Sequence, residues 1–198
     1  MDSPGFNHLV AQCRKLRLTC QLPDPTGQLP DTERNLGAPL DPYLRVLLSR
    51  FNGGRLWDLY LYGGKGSPNE LLTINKEMRL VSDDLPDLSD FLLFAQIGHQ
   101  ATHLAVMPAL ANSEGLQPVA YLDLNEGMKV LPLASNVDAC FELLARYLEM
   151  LVVRSGDVEK GAMELLFPWH LPDLLASDEA LMRLVNQGKF DRYTRISR

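Results

Sequence analysis

Hydrophobic residues recur along this chain at two spacings, and each spacing predicts a different element. Spacings of three or four residues are typical of one face of a helix. They predict helices over segments 6–18, 41–51, 68–78, 135–151 and 178–187. Short runs rich in apolar and aromatic residues, separated by Gly and Asn, predict strands. Those runs are 55–62, 92–97, 103–107, 119–124 and 129–133.

Polar residues and glycines support the helix boundaries. Asp41 can accept hydrogen bonds from the free N–H groups of a first turn, and Pro42 stands where no N–H is needed. Ser67-Pro68-Asn69-Glu70 has the pattern of a capping box, which places a helix start at Pro68. Gly53 and Gly54 can provide the left-handed turn that ends the helix over 41–51.

The order of the elements favours an α+β fold. Helix, strand, helix, several short strands and a long helix follow one another, without the regular alternation that builds a parallel sheet. We expect one mostly antiparallel sheet with helices packed against it. Six Pro and Gly residues in 21–39 predict a linker without regular structure. The chain divides into an N-terminal helix and Pro-rich linker (1–35), an α+β domain (36–152) and a C-terminal helical extension (153–198).

Charge is distributed unevenly along the 198 residues, in which 19 Lys and Arg stand against 25 Asp and Glu for a net charge of −6. Residues 1–20 carry +2 and residues 183–198 carry +4, which leaves −12 between them. A nucleic-acid-binding protein normally concentrates basic charge on its folded body, so direct binding to DNA or RNA is disfavoured. The acidic body suits a basic protein partner, or only provides solubility.

The sequence predicts a soluble cytoplasmic protein. No apolar run approaches the ~18–20 residues that a membrane-spanning helix needs. The first 18 residues lack the basic-then-apolar order of a secretory signal. Cys13, Cys20 and Cys140 are odd in number and widely spaced, which makes a poor disulfide framework, and we expect reduced thiols.

Motifs for catalysis or for metal and cofactor binding are incomplete. The glycine-rich segment 63–67 lacks the Ser or Thr that follows the lysine of a phosphate-binding loop. His99 and His103 are four residues apart, but Gly98 and the flanking strands indicate that they straddle a turn. Cys140 lies on the apolar stripe of a helix, where an inert thiol is usual. We therefore predict no catalytic residue, no metal and no cofactor; the alternative is an enzyme with an unfamiliar site.

Aromatic and acidic residues share one predicted strand, 55–62. Alternation places Trp57 on one face and Asp58, Tyr60 and Tyr62 on the other. Such a face is either a half-exposed contact surface, since aromatic residues anchor interfaces, or a packed face whose hydroxyls reach water.

Four segments together resemble the SUKH superfamily of Smi/Knr type. Segment 36–54 (LGAPLDPYLRVLLSRFNGG) resembles the family's opening helix signature, and 91–98 (FLLFAQIG) resembles its Ile-Gly strand. Segment 118–124 (PVAYLDL) resembles its Tyr-Leu-Asp strand. Residues 131–135 (LPLAS), followed by Phe141, resemble the entry to its closing helix. The resemblance spans residues 36–152, and the long segment 99–117 departs from it.

The resemblance implies a curved sheet with helices against it and a function in protein binding. Bacterial members are best known as immunity proteins that bind and neutralise a cognate toxin, often a nuclease, of polymorphic toxin systems. Fungal relatives are regulatory scaffolds, and neither role is catalytic. An acidic immunity protein suits a basic toxin domain, because opposite charge speeds and orients docking.

The sequence therefore predicts an immunity-type protein that binds a basic toxin domain. The alternative is a regulatory or scaffolding protein without a toxin partner. The basic tail 189–198 either binds the acidic body of a second copy, giving a homodimer, or is solvated in a monomer. Acidic loop residues and the aromatic face form the predicted interface: Asp58, Tyr60, Tyr62, Asp83, Asp84, Asp87 and Asp90.

Overall fold

In the part of the chain that the structure describes, seven short strands form one open antiparallel sheet whose spatial order follows the chain. A computed structural model describes residues 2–25, 29–80, 86–98, 101–125 and 128–194, and only the backbone of 29–31, 86, 87 and 194. The strands are β1 Cys20–Gln21, β2 Gly54–Leu56, β3 Leu59–Leu61, β4 Leu92–Ile97, β5 Thr102–Val106, β6 Val119–Asp123 and β7 Lys129–Ala134. The predicted strand 92–97 is confirmed, and the three that follow it agree to within one or two residues.

Helices precede, interrupt and follow the sheet. They are α1 Pro4–Lys15, α2 Leu29–Leu36, α3 Pro42–Arg50, α4 Leu71–Leu80, α5 Val137–Ser155, α6 Val158–Glu164, α7 Pro172–Ala176, α8 Glu179–Asn186 and α9 Asp191–Thr194. The predicted α+β class is confirmed, with a helical C-terminal part. In the described part of the chain, every helix is too short or too polar to cross a lipid bilayer.

The middle of the sheet is buried on both faces. Every residue of β5 is buried, and Gln96 is the one residue of β4 that is not. A strand buried throughout lies between two layers, which explains its nearly continuous apolar sequence. On one side Phe141 of α5 meets Phe94 of β4 edge-on, with ring centroids 6.4 Å apart. Helix α4 contacts β4, and α8 and α9 contact the last strand, β7.

Helix α1 packs closely along α5. The carboxylate of Asp138 accepts hydrogen bonds from the Ser3 hydroxyl and from the backbone N–H groups of Gly5 and Phe6, at 3.1 Å for both amides. A Cβ atom on Gly5 would lie only 2.1 Å from the backbone oxygen of Asp138. Glycine is therefore required for the two helix backbones to approach, and Asp138 satisfies the free donors at the start of α1.

The predicted helix cap at Asp41 is confirmed, and the same carboxylate also binds a segment far away in the chain. Its Oδ1 accepts hydrogen bonds from the N–H groups of Tyr43 and Leu44. Its Oδ2 accepts a third from the N–H of Gln117 at 2.8 Å, so one fully buried carboxylate joins α3 to the approach to β6. Burial raises the pKa of Asp41, and the three backbone donors oppose that rise.

Two predictions about local structure are wrong. Segment 21–39 contains helix α2, because Pro30 stands in its first turn, where a missing N–H breaks no helical hydrogen bond. Helix α4 begins at Leu71 instead of Pro68, because Glu70 forms a parallel bridge with Gly63.

A third prediction, on the end of α3, is also wrong. The helix ends at Arg50, and Phe51 is already extended. Gly53 and Gly54 instead shape the approach to β2. A Cβ atom on Gly53 would lie 2.7 Å from the carbonyl oxygen of Leu61, and its φ of 74° favours glycine.

Side chains from all three predicted chain segments share one hydrophobic core. Phe6, Leu9 and Cys13 of α1 belong to it, as do Leu181 and Phe190 near the C-terminus. Helices α8 and α9 also lie against β7, the last strand of the sheet.

We expect Gly5→Ala to destabilise the fold by about 1–3 kcal/mol, because the new methyl group meets the Asp138 backbone, which cannot move aside alone. Urea unfolding followed by circular dichroism measures the change. Ala11→Ser, on the exposed side of α1, is the matched control and should change stability little. Equal stability of the two variants would show that the helices can separate without loss.

Candidate functional site

The predicted strand 55–62 is a hairpin, and this changes the placement of its aromatic residues. Leu56 pairs with Leu59, so Trp57 and Asp58 form a two-residue turn. Trp57 has a positive φ of 53°, which is the requirement at the first position of a type II′ turn. Neither turn residue is glycine, so the usual hairpin signal is missing from the sequence.

Asp58 and Tyr60 remain partly exposed, as the contact-surface interpretation requires. Tyr60 pairs with Arg55 on one side and Gln96 on the other, and all three are half-buried. The Arg55 guanidinium lies 4.7 Å from the centre of the Tyr60 ring, a cation–π contact. This short row across β2, β3 and β4 is the solvated part of that sheet face.

Tyr62 is buried, so it is no part of a half-exposed contact surface, and its prediction as an interface residue is wrong. Its side chain is 2% exposed, and its hydroxyl lies 2.8 Å from Nδ1 of His103 on β5. Burial lowers the pKa of His103 to about 4 and raises that of Tyr62. The imidazole is therefore neutral at pH 7, and one hydrogen bond joins it to the Tyr62 hydroxyl. This pair stabilises the core and is not accessible to a partner.

The predicted acidic loop is only partly within the described residues. Asp83 and Asp84 lie outside them, and Asp87 is described only as backbone in the 3₁₀ turn Pro86–Asp90. Asp90 accepts hydrogen bonds from Arg192 at 2.7 Å and from the Tyr193 hydroxyl at 3.0 Å. Its charge therefore attaches the C-terminal helix α9 to the sheet.

Large exposed apolar side chains are concentrated in the C-terminal helical part. Among the described residues six such side chains stand out, and five of them lie between 153 and 185. Val153 is 87% exposed and Met163 81%, and half of the Trp169 surface is accessible. Single exposed apolar residues are ordinary, but a concentration of them marks an interaction surface.

A groove beside α5 contains part of this apolar surface. Two adjoining cavities of about 530 and 230 Å³ share Arg146 and Leu174 and follow the outer side of the helix. We call this feature the α5 groove. Its apolar lining includes Leu143, Met150, Val153, Leu165 and Leu174, and its charged lining is Glu142, Arg146, Glu149, Arg154 and Asp178.

Charged side chains of the α5 groove are already paired with one another and with α1. Glu142 accepts from Arg146 at 2.8 Å and lies 2.8 Å from Nδ1 of His8. Glu149 accepts from Gln12 at 2.6 Å. The Glu142 hydrogen bond raises the pKa of His8, against its partial burial. The charges on this rim are fixed in place, and the apolar floor between them is left open.

Sequence comparisons identify no relative. No known protein-family model matches the chain, and no curated protein sequence matches it significantly. Within the described residues, no three His, Cys, Asp or Glu side chains are grouped so that they could hold a metal ion.

The buried His103 should make stability depend on pH. The unfolded chain binds a proton at the ordinary histidine pKa of about 6.5, whereas the folded chain binds it only near pH 4. Stability therefore falls as the pH drops from about 6.5 to 4, by up to about 3 kcal/mol, and this contribution levels off below that range. Urea unfolding across pH 4–7.5 measures the slope.

The His103→Gln variant should lose this part of the dependence of stability on pH. The His170→Gln variant, at an exposed histidine, should keep it. If the free energy of unfolding of wild type and His103→Gln changed with pH in the same way, the attribution to His103 would be contradicted.

Proposed function

We propose that this protein is a non-enzymatic binding protein that recognises another protein through the α5 groove. The observation that supports this most is the open apolar floor around Val153, bordered by paired charges. An apolar centre with a polar rim is the usual anatomy of a protein interface. Binding would bury Val153 and Met150, and the rim charges would fix the orientation of the partner.

The groove has the shape of a site for a partner helix. Glu142, Arg146, Glu149 and Val153 recur at helical spacing on the outer side of α5. These eleven residue steps extend about 16 Å at 1.5 Å per residue. That length receives about three turns of an amphipathic helix, whose apolar side chains would occupy the groove.

Charge favours a basic partner domain. The net charge is −6, and the residues between the two basic ends carry −12. Opposite charge on the partner raises the rate of encounter and disfavours acidic competitors. The resemblance to SUKH proteins then makes immunity the leading interpretation: the protein occludes a basic toxin domain, such as a nuclease, in the cytoplasm. The alternative is a regulatory or scaffolding role with the same mode of binding.

The test of the binding face is Val153→Asp in the full chain. We expect affinity for a partner captured from native lysate to fall at least tenfold, because a carboxylate would be desolvated in the apolar floor. Leu80→Asp is the matched control, at a residue that is 79% exposed on α4, and should bind like wild type. Biolayer interferometry at 150 mM salt measures both.

Two results would contradict the use of the groove. One is equal binding by Val153→Asp and wild type together with loss of binding in Asp58→Asn/Tyr60→Ala, which would assign the interface to the β2–β3 hairpin. The other is a captured partner that binds all of these variants equally.

The immunity role has a separate test. Expression of the captured partner alone should arrest bacterial growth, and co-expression of this protein should restore growth, whereas co-expression of Val153→Asp should not. A partner that is harmless when expressed alone would favour the regulatory or scaffolding role.

A further inference from the structure

A second cavity, of about 450 Å³, lies at the start of α5. Its walls are the 3₁₀ turn Pro108–Leu110 with the loop after it, the entry to α5, and helix α8. Cavities of about 300–1,000 Å³ accommodate small organic molecules. This cavity is separate from the α5 groove, and none of the predicted interface residues lines it.

The charged side chains that line this cavity are all cationic. They are Arg183 of α8 and Lys189 just after it, and no carboxylate is among the lining residues. Within the described part of the chain, neither cation has a hydrogen-bond or ion-pair partner. Both side chains are exposed, and no carboxylate among the described lining residues competes for them.

Nearby backbone and amide groups also suit an anion. The 19-residue helix α5 begins at this cavity, and its positive dipole end adds to the field of the two cations. Asn112 and Gln187 line the cavity as well. The Asn112 oxygen already accepts from the N–H groups of Glu114 and Leu116, which leaves its NH₂ group as a donor.

Two carboxylates lie close to the cavity, but neither is among its lining residues. Asp178 approaches from the start of α8, but its two oxygens accept hydrogen bonds from the N–H groups of Leu181 and Ser135. The Asp191 carboxylate lies against Gly188, beyond the lining residues. The rest of the wall is largely apolar, with Leu110, Leu116 and Leu184 among its members.

We propose that this cavity binds a small organic anion with an apolar body and one carboxylate or phosphate group. Arg183 and Lys189 hold the charged group, and the leucine side chains cover the apolar body. A carboxylate and a phosphate would be bound in the same way. Arg provides a planar pair of hydrogen-bond donors to either group, and Lys provides a compact positive charge. This site is independent of the proposed protein interface.

Calorimetric titration of the full chain with n-hexyl phosphate is the test. We expect saturable binding with a Kd below about 1 mM. Hexanoate distinguishes a carboxylate from a phosphate preference, inorganic phosphate tests the need for the apolar body, and hexanol tests the need for charge. Inorganic phosphate and hexanol should each bind at least tenfold more weakly than hexyl phosphate.

Matched charge variants locate the site. Arg183→Gln/Lys189→Gln should weaken hexyl phosphate binding at least tenfold, whereas Arg14→Gln/Lys15→Gln, which removes the same charge from the exposed end of α1, should leave it unchanged. Thermal melts of both double variants serve as the folding control. In ¹H–¹⁵N spectra, the side-chain amides of Asn112 and Gln187 should shift on titration.

Three outcomes would overturn the proposal. They are no saturable binding of hexyl phosphate or hexanoate up to about 10 mM, equal weakening by both double variants, and binding of inorganic phosphate as tight as that of hexyl phosphate. The first outcome would show that the cavity takes no ligand of this class. The second and third would show that general surface charge alone attracts the anion.

Discussion

The close packing of α1 on α5 is the constraint on which the rest of this structure depends. It requires a glycine at position 5 and a carboxylate at position 138, so that the helix backbones touch while the first donors of α1 stay satisfied. With α1 in place, Phe6 contacts both Phe51 and Phe141. The inner side of α5 is thereby fixed against the sheet, and its outer side is presented to solvent as the α5 groove.

Several carboxylates of this acidic chain stabilise the fold by accepting hydrogen bonds within it. Asp41 joins α3 to the approach to β6, Asp138 caps α1, and Asp90 attaches α9. Each contributes through hydrogen bonds to fixed donors, which is a stronger role than exposed charge has in water. The net charge of −6 therefore describes the long-range field of the protein better than it describes any one part of the surface.

Helix α5 has two different environments along its length. Near its start lies the cationic cavity with Arg183 and Lys189, and along its outer side lies the apolar groove with Val153. The C-terminal helices build one wall of the cavity and supply Leu174 to the groove, and α8 and α9 contact β7. A segment that the sequence marks only as a helical extension is thus the part of the chain that creates both candidate sites.

The sequence by itself determined the elements whose signals are local. The run over 92–97 predicted β4, the stripe that includes Phe141 predicted α5, and Asp41 before Pro42 predicted the start of α3. Only the tertiary structure decided which residues meet: Tyr62 with His103, Gly5 with Asp138, and the cations Arg183 and Lys189 with the loop before β6. Periodicity and capping act over a few residues, whereas these contacts join residues far apart in the chain. Even the turn at Trp57 lacks glycine, so no local signal divides the segment 55–62 into two strands.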